Sequence, residues 1–273
     1  MTIEDLFCSY KNKKIYVLLN IGNRGDGLIH MGGRALLAKH NIEYEEIRFP
    51  QDISGDMLFV YGCGAFSASF HHMVKFINFY INKFDKIYIL PASFDISCRE
   101  IREFISGVPE KIIIYCRERY SYQDLLKIAT FKENIILDKD MAFYIDYSKW
   151  NRKGSGVLVS FRKDGEAASS FFCKYSTFYK AIIKVKLAFS GQMAKWDDVS
   201  NGGNETEGEA LLQTIANYEE IYTDRAHVAI ASAMMGKRTY IYPSCYHKQK
   251  GIYEYSLSHM SNVYWHNWGL WDM

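Results

Sequence analysis

Apolar runs rich in Ile, Val and Tyr punctuate the first half of the chain at 14–21 (KIYVLLNI), 43–49 (EYEEIRF), 57–64 (MLFVYGCG), 86–93 (KIYILPAS), 111–118 (KIIIYCRE) and 134–140 (NIILDKD). Each is short enough for a strand and ends in a polar or glycine-containing turn. Between them, apolar positions recur with a period near that of a helix, which predicts helices over 26–39, 67–82, 97–106 and 121–130. Strands that alternate with helices must cross back over the sheet. The pattern therefore predicts parallel strands covered on both faces.

At 147–155 the pattern gives way to a polar, glycine-containing stretch, which places a domain boundary between 1–150 and 151–273. A second set follows: a strand at 156–162 and a helix over 170–189, or a shorter helix followed by a strand at IIKVKLAF. The polar segment WDDVSNGGNETEGE is expected to be an exposed loop without a function of its own, followed by a helix over 210–217. Then come a strand at 219–224, a helix over 225–237 and a strand at 238–243, the clearest β-α-β unit of the chain. The fold class is thus α/β: two Rossmann-like domains with mostly parallel sheets, facing one cleft in a GT-B-like arrangement. Ligands of such sheets bind outside the carboxyl ends of the strands.

Composition narrows the function more than the fold. Lys and Arg number 33 against 31 Asp and Glu, so no global field exists to hold nucleic acid, and any bound anion must be gripped locally. The six cysteines are scattered without zinc-ligand spacing, as expected of thiols in a reducing compartment, and no metal is implied. No apolar run resembles a secretory leader or spans a bilayer, so the protein is expected in the cytoplasm or at the inner face of the membrane.

The candidate chemistry lies at the strand ends. After the first strand, Asn20 to Gly27 (NIGNRGDG) is glycine-rich enough for backbone N–H groups to approach a ligand, with Asp26 as the alternative of a simple helix cap. Gly62-Cys63-Gly64 ends the third strand with a permissive turn. Arg117 follows the fifth strand, placed either to grip a carboxylate or phosphate or to pair with Glu118 or Asp124 at the surface; Ser121 is the expected cap of the next helix. In the second half, Asp224 is the expected cap of a helix whose first turn holds Arg225 and His227, beside unpaired backbone donors that favour an anion. A neutral His accepts a proton and an anion-paired one donates it; the alternative is a packed core histidine. The next strand delivers His247 and Lys248 to the same edge.

In order and spacing these residues resemble the polysaccharide pyruvyl transferase family: N-x-G-x-x-G-D (Asn20 to Asp26), the glycine turn (Gly62 to Gly64), R-E-x-x-S (Arg117 to Ser121), S-F-R-x-D (Ser160 to Asp164), and D-R-x-H (Asp224 to His227) followed by Y-x-K (Tyr246 to Lys248). The resemblance covers nearly the whole chain. It departs from the family at Cys63, where a third glycine is usual, and at Ala226, where a larger aliphatic is usual. It implies transfer of pyruvate from phosphoenolpyruvate, as co-substrate and without a cofactor, to two hydroxyls of a capsular or extracellular polysaccharide precursor, giving a ketal and phosphate. His227 and Arg225 are then the catalytic residues; Arg117, Arg225, Lys248 and Ser121 bind the donor, with Arg117 closing on it from the first domain. Asn20, Asp26 and Arg162 lie on the acceptor side. A nucleotide-sugar glycosyltransferase of GT-B type is the alternative, and a catalytically inactive scaffold a third. The acceptor, free, nucleotide-linked or lipid-linked, and the oligomeric state stay open. Tyr264, Trp265, Trp268 and Trp271 are expected to pack on the first domain, with sugar stacking or contact with the membrane surface as alternatives.

Overall fold

A computed structural model describes all residues except 11–13, 63, 168–175, 192 and 269–273. Cys63 of the glycine turn and Trp271 therefore lie outside the described residues. The chain divides into two compact units, 1–22 with 28–145 and 23–27 with 146–273.

The first unit contains α1 (Ile3–Ser9), β1 (Ile15–Leu18), all but the first turn of α2 (Arg24–Lys39), β2 (Tyr44–Ile47), β3 (Gly55–Val60), α3 (His72–Tyr80), β4 (Phe84–Ala92), α4 (Arg99–Gly107), β5 (Ile112–Cys116), α5 (Arg119–Ile128) and β6 (Ile135–Leu137). Its six strands are parallel in the order β2-β1-β3-β4-β5-β6. The predicted strands and helices are all present, with ends shifted by up to five residues. α1 was not predicted: its seven residues are too few to show a period, and it is held by a capping box in which Thr2 and Asp5 bond each other's backbone N–H. Successive Ile, Leu and Val positions of β3, β4 and β5 are buried on both faces, the reason these strands read as continuous apolar runs.

The second unit has β7 (Val157–Ser160), α6 (Ser176–Phe189), β8 (Ala194–Trp196), α7 (Gly208–Ala216), β9 (Glu220–Thr223), α8 (Ala226–Met234), β10 (Arg238–Ile241), α9 (Lys248–Ile252) and β11 (Val263–Trp265). Its sheet is also parallel, in the order β11-β10-β9-β7-β8. IIKVKLAF is helix, part of α6, because Tyr179, Ile183 and Leu187 recur every four residues and enter one core with Val157, Val159 and Tyr222. Both edge strands, β8 and β11, were missed, each only three residues long. Trp268 packs on Phe161 and Tyr242 of its own unit and donates its indole N–H to the Pro243 carbonyl, 3.0 Å. Both units are Rossmann-like, and counted within each unit both sheets have the flavodoxin strand order 2-1-3-4-5, the first with a sixth strand added. Each therefore has one point where the chain reverses direction across the sheet: between β1 and β3, and between β7 and β9.

Candidate active site

Strand register brings the second unit's charged residues together. Thr223 at the end of β9 is level with Ser160 of β7 and Ile241 of β10. Arg162 and Arg225, each two residues past its strand, therefore emerge at one height over the β7–β9 reversal point, and Lys248 opens α9 after the neighbouring β10. The Thr223 hydroxyl ties the two strand ends, donating to the Ser160 carbonyl (2.8 Å) and accepting from Arg225 N–H (2.9 Å).

The three cations are joined by carboxylates. Arg225 binds Asp198 through Nε (2.8 Å) and Nη2 (2.5 Å) and Asp164 through Nη1 (2.8 Å). Arg162 binds the same Asp164 through Nε (2.9 Å) and Glu166 through Nη1 (2.5 Å), and Lys248 Nζ lies 2.5 Å from the same Glu166 oxygen. Glu166, Asp198 and all three cations are buried. Burial alone pushes the Asp164 and Glu166 carboxyls up. The adjacent cations outweigh it, holding Asp164 down at about 2 and Glu166 below the usual carboxylate range. Arg162, expected on the acceptor side, thus shares its partners with Arg225 and Lys248.

Asp224 does not cap α8. Arg225 occupies the cap position, and Asp224 Oδ1 accepts instead from the Arg162 N–H at 2.7 Å. Its Oδ2 is buried without a hydrogen-bond partner among the described residues. Burial raises this carboxyl to about 6, only partly offset by the Arg162 N–H and the charges of Lys180, Arg162 and Arg225. A raised pKa means the folded state keeps a proton that the unfolded chain has lost, so Asp224 lowers stability as pH climbs from about 4 to about 6. The difference from the ordinary value of 3.8 amounts to ~3 kcal/mol at pH 7 and above. Asp224→Asn, whose amide places a donor on that side, is expected to raise stability by ~2–3 kcal/mol at pH 8 and to change it little at pH 3.5. Urea unfolding at the two pH values measures both.

His227 is buried in the first turn of α8, a helix of small residues enclosed on every side from Ala226 to Ala233 rather than on one face. It packs on Gly25, in the turn after β1. A Cβ at Gly25 would stand 2.9 Å from His227 Nδ1, and one at Gly27 2.3 Å from the Glu205 carbonyl oxygen. These glycines admit neighbouring protein atoms. Asn23 and Asp26 fasten the turn: the Asn23 side chain accepts from Gly25 N–H (2.8 Å) and Asp26 accepts from Asn23 N–H (3.0 Å). Arg24 binds Glu207 through Nε and Nη2 at 2.9 and 2.7 Å. His247 is half-buried and edge-on to Tyr246.

The remaining sequence candidates sit in the first unit. Arg117 is buried, with Nη1 on Asp140 (2.6 Å) and Nε on the Ser93 hydroxyl (2.9 Å). Glu118, and not Ser121, caps α5 by accepting from Ser121 N–H; the Ser121 hydroxyl binds Glu118 and accepts from Phe94 N–H at 2.8 Å. Asn20 follows β1 at that sheet's reversal point, 3.2 Å from His72 Nε2. Gly62 closes on the β4 backbone, where a Cβ would lie 2.1 Å from the Pro91 carbonyl.

Glu166 and Asp198 escaped the sequence reading. Asp198 belongs to the segment expected to be an exposed loop, yet it and Ser200 are buried. The available signal was WDD after a short apolar run, which the unrecognised β8 delivers to the sheet's carboxyl edge. Among the described residues, no group of three or more His, Cys, Asp or Glu is placed to hold a metal ion, and no helix is long and apolar enough to cross a membrane.

Two Rossmann-like units, the second with a buried Arg/Lys–carboxylate network and a histidine at its reversal point, define the class of α/β protein to which the chain belongs. The family model for polysaccharide pyruvyl transferase matches residues 23–246, and the chain belongs to that family of transferases. A solved structure of a functionally uncharacterized protein from Klebsiella pneumoniae is similar in fold, with a TM-score of 0.74 at 23% identity over 96% of each chain. No curated protein matches.

Proposed function

We propose that the chain transfers the pyruvyl group of phosphoenolpyruvate to two hydroxyls of a saccharide, forming a cyclic ketal and releasing phosphate. The observation behind this reading is the convergence of Arg162, Arg225 and Lys248 beside His227 at three neighbouring strand ends. A donor carrying a carboxylate and a phosphate needs several fixed cations. A guanidinium has five N–H donors, and Arg225 spends three on Asp198 and Asp164, leaving two for the donor. His227 delivers a proton to the methylene carbon, a sugar oxygen attacks the adjacent carbon, and the second oxygen displaces phosphate. Of the two hydroxyl protons, one ends on the new methyl group and the other on phosphate. The network moves Arg162 to the donor side in this proposal. Arg117 and Ser121 remain donor-side residues of the first unit, and Asn20 and Asp26 acceptor-side residues.

Stabilisation of the protein by phosphoenolpyruvate in a thermal-shift experiment, followed by phosphate release and a new methyl signal in the NMR spectrum of the saccharide product, is the expected result. Stabilisation by UDP-, GDP- or CMP-sugars alone sinks the proposal in favour of glycosyl transfer. Lys248→Ala removes one charged contact to the donor. Its KM for phosphoenolpyruvate is expected to rise ~10- to 100-fold with kcat changed far less, as steady-state phosphate release will show.

A further inference from the structure

Helix α6 has two apolar faces, and the core of the second unit covers only one. Tyr179, Ile183 and Leu187 are buried in that core. Phe178, Val185 and Phe189 are exposed by 54%, 54% and 89%. Spaced seven and four residues apart, they fall within about 40° of one another around the helix and form a single outward stripe. Past the helix end Met193 and Trp196 extend the exposed apolar surface, at 81% and 38%. Isolated exposed apolar residues are ordinary, but a run of five large ones on one helix and its exit is not.

Charge identifies the occupant. Residues 176–196 contain four lysines and no acidic residue. Lys180 is turned over the Phe161 and Trp268 rings and Lys195 faces Asp197, so the outward charges are those of Lys184 and Lys186, both exposed, one on each flank of the stripe. A second copy of the chain fits poorly, because a twofold contact through the stripe sets these lysines against their own counterparts. We propose that α6 and its exit dock the protein on an anionic lipid surface, the helix lying in the interface plane with Phe178, Val185 and Phe189 inserted and Lys184 and Lys186 at the headgroups. The proposal is independent of the reaction assigned above.

The test is sedimentation of the full chain with vesicles of equal parts phosphatidylglycerol and phosphatidylcholine, against vesicles of phosphatidylcholine alone. The wild-type chain is expected to pellet with the anionic vesicles and at least about tenfold less with the neutral ones. The double variant Val185→Glu/Phe189→Glu is expected to stay in the supernatant. Lys184→Glu/Lys186→Glu, which alters only exposed charges, is expected to behave likewise and to keep the wild-type thermal melting curve. Wild-type protein that remains in the supernatant overturns the proposal, as does equal pelleting with both vesicle types or unchanged pelleting of the double-glutamate variants. A wild-type dimer by light scattering that Phe189→Glu splits assigns the face to a second copy and overturns it as well.

Discussion

Replacing His227 by alanine is expected to lower kcat for ketal formation by ~10²- to 10⁴-fold while phosphoenolpyruvate still stabilises the protein in a thermal-shift measurement. The two readouts separate because the cations proposed to hold the donor are fixed independently of the imidazole: Arg225 by Asp198 and Asp164, and Lys248 by Glu166. Gly25→Ala should act through the same residue. Its new methyl group would crowd both His227 Nδ1, at 2.9 Å, and His227 Cβ, at 3.2 Å, so the ring must move although every charged residue remains. A loss of kcat with nearly constant KM is the expected outcome for this variant. Wild-type turnover in the alanine variant of His227 removes the proton-transfer role; loss of donor binding in that variant assigns the imidazole to the grip instead.

Asp140→Ala is expected to cost ~3–5 kcal/mol of stability, measured by urea unfolding, because it removes the carboxylate from a fully buried ion pair with Arg117. Asp140 also caps the short 3₁₀ turn at Met141–Tyr144, accepting from Ala142 N–H at 2.8 Å, so the same substitution loosens the chain just before the second unit begins. Asp140→Asn keeps the cap acceptor and removes the charge, and is expected to cost less. Kinetics of the Asn variant then report on the proposed donor-side role of Arg117: a raised KM for phosphoenolpyruvate supports it, and an unchanged KM confines Arg117 to holding the first unit together.

Much of the fold was legible because the central parallel strands β3, β4 and β5 are buried on both faces and are therefore written as apolar runs, each followed by a helix. β8 (AKW) and β11 (VYW) passed unseen because no run of Ile, Val and Leu marks them. At the site the strand-end rule pointed to Arg225, His227 and Lys248, which follow the paired strands β9 and β10. It could not show their counter-ions, since carboxylates from distant parts of the chain are invisible in a linear pattern. Glu166 and Asp198 supply that neutralisation from the ends of other strands.

By itself the amino-acid sequence determined the strand–helix alternation, the family and the residue types at each strand end, because local periodicity and short motifs are properties of neighbours along the chain. Only the tertiary structure decided who meets whom: Asp198 with Arg225, Glu166 with both Arg162 and Lys248, and Gly25 with His227 across about two hundred residues. Those contacts come from sheet order and register, which no local pattern encodes. The same holds for α6: its sequence shows apolar residues on several sides, and only packing reveals which of them the core leaves facing outward.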